Sequence, residues 1–311
     1  MRLLQYSEDG ELSLTKDFID KIPPYVILSH TWGPATEEVS FGDLMDGTAK
    51  DKAGYEKIRL CGEQAKRNDF QYFWVDTCCI NKSNNTELSE AINSMFCWYH
   101  NAANCYVYLS DVPKSTVDTN SHSTQLLWES EFHKSKWFTR GWTLQELIAP
   151  RSVEFYSRDW DFLGDKISLE GYICEITGIP AKALQGNALS DFSIPERMSW
   201  ADKRETTRRE DLAYSLLGIF DISMSLIYGE GAEKAFRRLQ EKIYKRGRKH
   251  QLDEVSTVSY TSDSVKRFKV LYSQSSSISS GRDPSPELPL YSQYSVYSGK
   301  YKSFFIYVRE C

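Results

Sequence analysis

The stretch RGWTLQEL, Arg140 to Leu147, sets an arginine, a tryptophan, a glutamine and a glutamate within about two helical turns, with Trp128 and Trp137 just upstream. A helix docks on a core through a few apolar residues on one face, so Arg140, Gln145 and Glu146 are surplus to packing. They either face solvent or form a site. The residue types suit a charged, ring-bearing ligand. An arginine grips a phosphate, a carboxylate stabilises a developing positive charge, and an indole stacks on a flat ring. A second set of polar residues closes three hydrophobic runs: Ser29, His30, Thr31, Trp32 and Gly33 after the first; Asp76, Thr77, Cys78 and Cys79, then Asn81 and Lys82, after the second; Ser110 and Asp111 after the third. Each also has a plainer reading. His30 can be a packed core histidine, Trp137 and Trp142 can fill core, and Arg140 and Glu146 can form an ion pair.

The elements that must position these residues follow from hydrophobic patterning. YVILSH (Tyr25 to His30), YFWVDTCCI (Tyr72 to Ile80), CYVYLSDV (Cys105 to Val112) and SVEFYS (Ser152 to Ser157) are short β-branched and aromatic runs bounded by turn formers, and are expected to be strands. Their near-continuous hydrophobicity fits parallel strands covered on both faces. A crossover helix is expected around Tyr55 to Arg67. Another, capped by Asn85 or Thr86, has Leu88, Ile92, Met95 and Tyr99 on one face. The pattern is that of an α/β fold, an open parallel sheet with flanking helices, in which ligands gather at the carboxyl ends of the strands.

From about Ile167 the pattern turns helical. SLEGYICEITGIP ends in a Gly and Pro stop, REDLAYSLLGIFDI carries a helical face through Leu212, Ser215, Leu216 and Ile219, and GAEKAFRRLQEKIYKR is a further helix. This divides the chain into 1–166 (α/β core), 167–250 (helical annex) and 251–311, a Ser- and Tyr-rich segment expected to be flexible, with a short strand at KSFFIYV. The polar KSTVDTNSHSTQ is expected to be a loop, and the basic YKRGRKH (Tyr244 to His250) a solvated helix end.

A net charge of -5 gives no general attraction for nucleic acid or an anionic membrane, so neither is expected as a partner. MRLLQYSEDGELSL turns acidic before an apolar run reaches signal-peptide length, and no run of about eighteen apolar residues occurs, so a soluble, cytoplasmic chain is expected. The seven cysteines form no CxxC pair and have no histidines at ligand spacing. They read as buried thiols, with no metal site. A phosphate-cradling GxxxxGK[ST] loop, a GxGxxG after the first strand, HExxH, GxSxG and kinase signatures are all absent.

YVILSHTWG, FWVDTCCINKSNNTELSEAINSMFCWYHNAANCYVYLSDV and WFTRGWTLQELIAPRSVEFYSRDW occur in that order, and they resemble the three blocks of the fungal heterokaryon-incompatibility (HET) domain over roughly Tyr25 to Trp160. RMSWADKRETTRREDLAYSLLGIFDISMSLIYGEGAEKAFRRLQEKI resembles the segment that follows this domain, extending the likeness to about Ile243. The resemblance implies a part in the cell death that follows fusion of genetically unlike hyphae, and self-association or contact with recognition and death-signalling proteins. It also implies a distant relation to TIR domains, whose fold is flavodoxin-like and some of which cleave NAD with a glutamate in a W-x-x-x-E setting. Trp142 and Glu146 have that spacing.

On this reading no cofactor is needed and NAD is a substrate. Glu146 would stabilise an oxocarbenium ion as nicotinamide leaves. Trp32 or Trp142 would stack on a ring, Arg140 would hold a phosphate, and Ser29, His30, Gly33 and Asp76 would line the ligand from the strand ends. The second reading, left open beside it, is a non-enzymatic module that assembles through its surfaces, including the NKSNNTE loop, and recruits a downstream death effector.

Overall fold

A six-residue run in which every side chain is buried, Tyr25–His30, lies in the middle of the sheet, where a strand has neighbours on both sides and little contact with water. The computed structural model describes residues 1–19, 21–113 and 125–255, the side chains of 125–127 and 248–255 excepted. Seven strands form one sheet: β1 (Leu4–Tyr6), β2 (Leu12–Leu14), β3 (Tyr25–His30), β4 (Tyr72–Trp74), β5 (Asn104–Tyr108), β6 (Val153–Tyr156) and β7 (Phe162–Asp165). They lie in the order β2-β1-β4-β3-β5-β6-β7. β4, β3, β5 and β6 are mutually parallel, while β1, β2 and β7 are antiparallel to their neighbours. In chain order the parallel strands therefore run second, first, third, fourth. That order places a topological switch point between β3 and β5, outside whose carboxyl ends α/β proteins hold their ligands.

Helices α1 (Phe41–Met45), α2 (Tyr55–Arg67), α3 (Asp76–Cys79), α4 (Asn85–Asn101), α5 (Gln125–Lys134) and α6 (Thr143–Ile148) fill the connections. The expected crossover helix occupies Tyr55–Arg67 as read. The cap of α4 is Asn84 rather than Asn85 or Thr86: it is extended, and its side chain accepts from the Thr86 and Glu87 amides. Ile92, Met95 and Tyr99 of α4 are buried. α7 (Glu170–Thr177), α8 (Ala181–Leu184), α9 (Ile194–Ser199), α10 (Asp211–Tyr214) and α11 (Ala232–Val255) follow. α7 stops at Gly178, left-handed at φ 71°, as its Gly-Ile-Pro ending requires.

Three expectations are corrected. The second strand ends at Trp74, because Val75 is followed by a helical turn in which the Cys79 amide donates to the Val75 carbonyl at 2.9 Å, so Asp76 opens a helix instead of closing a strand. The sheet is mixed at both edges; the hairpin β1–β2 and strand β7 are too short to show periodicity. In REDLAYSLLGIFDI there is no continuous helical face: Leu212 is 40% exposed while Ala213 and Tyr214 are buried. The helix breaks into α10 and a 3-10 turn at Gly218–Phe220, with Gly218 set against Phe96 of α4.

Of the cysteines, Cys61, Cys78, Cys79 and Cys105 are buried, Cys174 is half-buried and Cys97 is exposed. Among the described residues no helix is long and apolar enough to cross a membrane. The KSTVDTNSHSTQ loop up to Thr124, the KSFFIYV strand and the 251–311 segment beyond Val255 lie outside the described residues. The helix end is exposed from Tyr244 through Gly247.

A Cβ at Gly218 would fall on the Phe96 side chain. Gly218→Ala is therefore expected to lower stability by about 1–3 kcal/mol through overpacking, read as a lower midpoint in urea denaturation. An unchanged midpoint would mean that this turn does not bear on α4.

Candidate functional site

Ser29 is the fifth of six buried residues in β3, and its hydroxyl oxygen has two neighbours. The Trp137 indole Nε1 donates to it at 2.8 Å. Because an indole N–H only donates, the serine proton is free to point elsewhere, and it donates to Glu146 Oε2. The relay Trp137 to Ser29 to Glu146 thus ties a strand, a 3-10 turn and α6 to one point.

Each member is locked from behind. Trp137, fully buried, sits in the turn Lys136–Thr139 and packs edge-on against Phe155 of β6 at 5.6 Å. Ser135 caps that turn and donates to Asp111 Oδ1 at 2.7 Å, while the Lys136 amide donates to Asp111 Oδ2 at 2.8 Å, so Asp111 anchors the turn. Thr143 at the start of α6 donates from Oγ1 to the Trp137 carbonyl at 2.5 Å. At the other end of α6, buried Lys166 donates from Nζ to the Pro150 carbonyl at 2.6 Å and the Leu147 carbonyl at 3.5 Å, which suits a helix C-terminus.

Glu146 is 9% exposed. Burial pushes its carboxyl up to about 8; the Ser29 hydroxyl pulls it down, the Asp76 charge adds to the rise, and Arg140 opposes it. Asp76 behaves oppositely. Burial would raise it too, but Lys82, the His30 hydrogen bond and Lys57 outweigh that and hold it well below the usual carboxylate range. His30 Nε2 lies 3.2 Å from Asp76 Oδ1, Trp32 Nε1 donates to Oδ2 at 2.9 Å, and Lys82 Nζ is 3.7 Å from Oδ2. Lys82 also lies over the Trp32 ring at 3.7 Å, and Trp32 is 47% exposed.

The structure therefore brings Ser29 and Glu146 into contact, and joins His30, Trp32 and Asp76 in a second cluster whose charge reaches Glu146. Arg140 is half-buried, acts on Glu146 through space, and donates to Thr207 Oγ1 at 3.3 Å. Trp142 turns toward the later part of the chain and donates to Asp211 Oδ2 at 3.2 Å. The Gly33 amide is taken by Glu38 Oε1 at 2.6 Å, which in turn accepts from buried Lys57 at 2.5 Å, so this amide is not offered to a ligand. Trp137 fills core, as its plainer reading held, while also donating to the site. Among the described residues no group of three or more His, Cys, Asp and Glu side chains is placed to hold a metal ion.

Arg204 was not legible as part of the site. In ADKRETT it looks like one more solvated charge, yet it is buried and donates from Nη1 to Thr143 Oγ1 and the Arg140 carbonyl, both at 2.8 Å. Its stretch is bridged to the site by the Gly141 amide to the Glu205 carbonyl at 2.8 Å and the Glu205 amide to the Thr139 carbonyl at 2.6 Å. A Cβ at Gly141 would strike the Thr206 methyl, so this close approach requires glycine.

Residues 25–146 match the family model described as Heterokaryon incompatibility protein (HET). The chain is 60% identical over 246 residues to the Vegetative incompatibility protein HET-E-1 of Podospora anserina, an overlap of 79% of this chain and 18% of that relative. The chain thus spans less than a fifth of that relative's length. No solved structure matches the chain.

Removing the Ser29 hydroxyl leaves the Trp137 N–H and Glu146 Oε2 buried without each other's bridge, so Ser29→Ala is expected to cost about 1–3 kcal/mol by chemical denaturation. Glu146→Gln is expected to act in the opposite direction near neutrality. The unfolded chain gives up the Glu146 proton near 4.5 and the folded chain near 8, so between these values the native state carries the extra proton and stability falls as pH rises. The glutamine variant lacks this slope: it should melt a few degrees above wild type at pH 7.5, by about 1–3 kcal/mol, with the gap closing toward pH 4.5. A gap independent of pH would rule out a buried, neutral Glu146.

Proposed function

We propose that this chain, which belongs to the heterokaryon incompatibility (HET) family, is the death-triggering part of an incompatibility protein and acts in the cytoplasm by hydrolysing NAD at the nicotinamide–ribose bond. The observation that supports this most is Glu146 itself: a carboxyl at the switch point between β3 and β5, fixed by the Ser29–Trp137 relay, with the charges of Asp76 and Arg140 in reach. In the reaction the C–N bond breaks, nicotinamide leaves with the electron pair, and the ribose becomes an oxocarbenium ion that water captures with loss of a proton. The Glu146 carboxylate stabilises that cation more than it stabilises the substrate. Arg140 holds a phosphate, and Trp32, already under the Lys82 ammonium, offers its indole face to the nicotinamide cation. A bound cation also favours the ionised form of Glu146.

A second reading has its own support. Glu146 is buried and mostly neutral at pH 7, while Trp32, Lys82 and the NKSNNTE loop lie on or near the surface. On that reading Glu146 is a packed acid, and the chain signals by self-association and by recruiting a downstream protein.

The deciding measurement is nicotinamide release from NAD, with the chain dilute and after forced clustering. Wild type is expected to release nicotinamide at a rate that climbs up to about tenfold per pH unit until Glu146 ionises near 8, and Glu146→Gln to lose at least about 100-fold. No release in either state, together with cell killing by Glu146→Gln, would leave the assembly reading.

A further inference from the structure

Arg204 is a cation without a carboxylate. It is 5% exposed, donates through Nε to the Trp200 carbonyl at 3.3 Å and through Nη1 to Thr143 and Arg140, and its buried Nη2 has no partner among the described residues. A guanidinium has five N–H donors and no acceptor, so an empty buried Nη2 is a cost that a nearby anion would remove. One candidate anion is at hand. Thr143, which Arg204 grips, lies three residues before Glu146, so the two share a face of α6. Burial draws Arg204 down to about 9, and Glu146 is the charge that opposes this.

We propose that Arg204 is a positioning residue for Glu146: when Glu146 gives its proton to solvent, the empty Nη2 donates to the carboxylate and holds it in the geometry that faces the strand ends. The other groups around Glu146 already have partners of their own. Ser29 of β3 already donates to Oε2, the Tyr99 hydroxyl of α4 is shared between the Glu146 carboxyl and the Leu28 carbonyl at 3.0 Å, Cys105 of β5 bonds only the Glu146 backbone, and Asp76 of α3 repels the charge. Arg140, the remaining cation, spends Nη1 on Thr207. Arg204 lies beyond residues 25–146, so the segment that matches the family model contains Arg140 but not this second, buried cation.

The inference takes from the proposed function only that Glu146 is the working carboxylate, and its test does not need the reaction. In the full chain labelled with 13C at glutamate carboxyls, the Glu146 resonance is identified by its loss in Glu146→Gln and titrated from acid to alkaline pH. Arg204→Met is expected to raise the midpoint by about one to two pH units, while Arg204→Lys, which keeps the charge, leaves it near that of wild type. Arg204→Gln keeps a donor for Thr143 without the charge and repeats the test where the methionine variant does not fold. A midpoint that stays or falls in a folded neutral variant overturns the proposal. Where nicotinamide release is observed, its pH profile should move with the midpoint; where none is observed, the titration alone decides.

Discussion

One serine hydroxyl holds the site together. Ser29 accepts from the Trp137 indole, which can only donate, and with its own proton donates to Glu146. The direction of the first bond is therefore set by chemistry and not by a choice of rotamer. Around that point the aromatic packing of Trp137 on Phe155, the Asp111 anchor of its turn and the Lys166 closure of α6 act as supports that keep three separate elements in register. A buried polar chain of this kind is stabilising only when every member is satisfied, which is why its neighbours are so completely closed in.

Two carboxyls close to one another are driven apart by their settings. Asp76 collects a lysine, a histidine and an indole N–H, and stays an anion. Glu146 has the hydroxyls of Ser29 and Tyr99, but its burial outweighs them and it keeps its proton. The anion at Asp76 makes it harder still for Glu146 to ionise, so one carboxyl of the pair is a fixed charge and the other a neutral acid.

How much of this could be read beforehand varies by element. β3 and α2 were plain, because a run of six apolar or small residues and a thirteen-residue amphipathic pattern each admit few alternatives. Gathering Ser29 and Asp76 at one edge needed only the rule that strand ends converge, whereas Glu146, in a helix, was singled out by its spacing from Trp142. The helical turn at Asp76 was hidden: its cysteines satisfy the Val75 backbone through sulfur and amide contacts that β-rich composition does not announce. The edge strands were too short for their period to show. Arg204 and the turning of Trp142 toward Asp211 were beyond reach for another reason: both depend on partners more than sixty residues away in the chain, and local pattern carries nothing about those.

The bridge between Gly141 and Glu205 also has a bearing on the order in which the site is assembled. Glu146 leaves the ribosome well before Glu205, and until the later stretch arrives the turn at Arg140 has neither its backbone partner nor the Arg204 guanidinium against Thr143. A contact so distant in sequence forms late, since the loop between must first be closed. In a growing chain the turn before Glu146 therefore stays unsecured until translation has passed Arg204 and Glu205, and the surroundings of the glutamate are completed last.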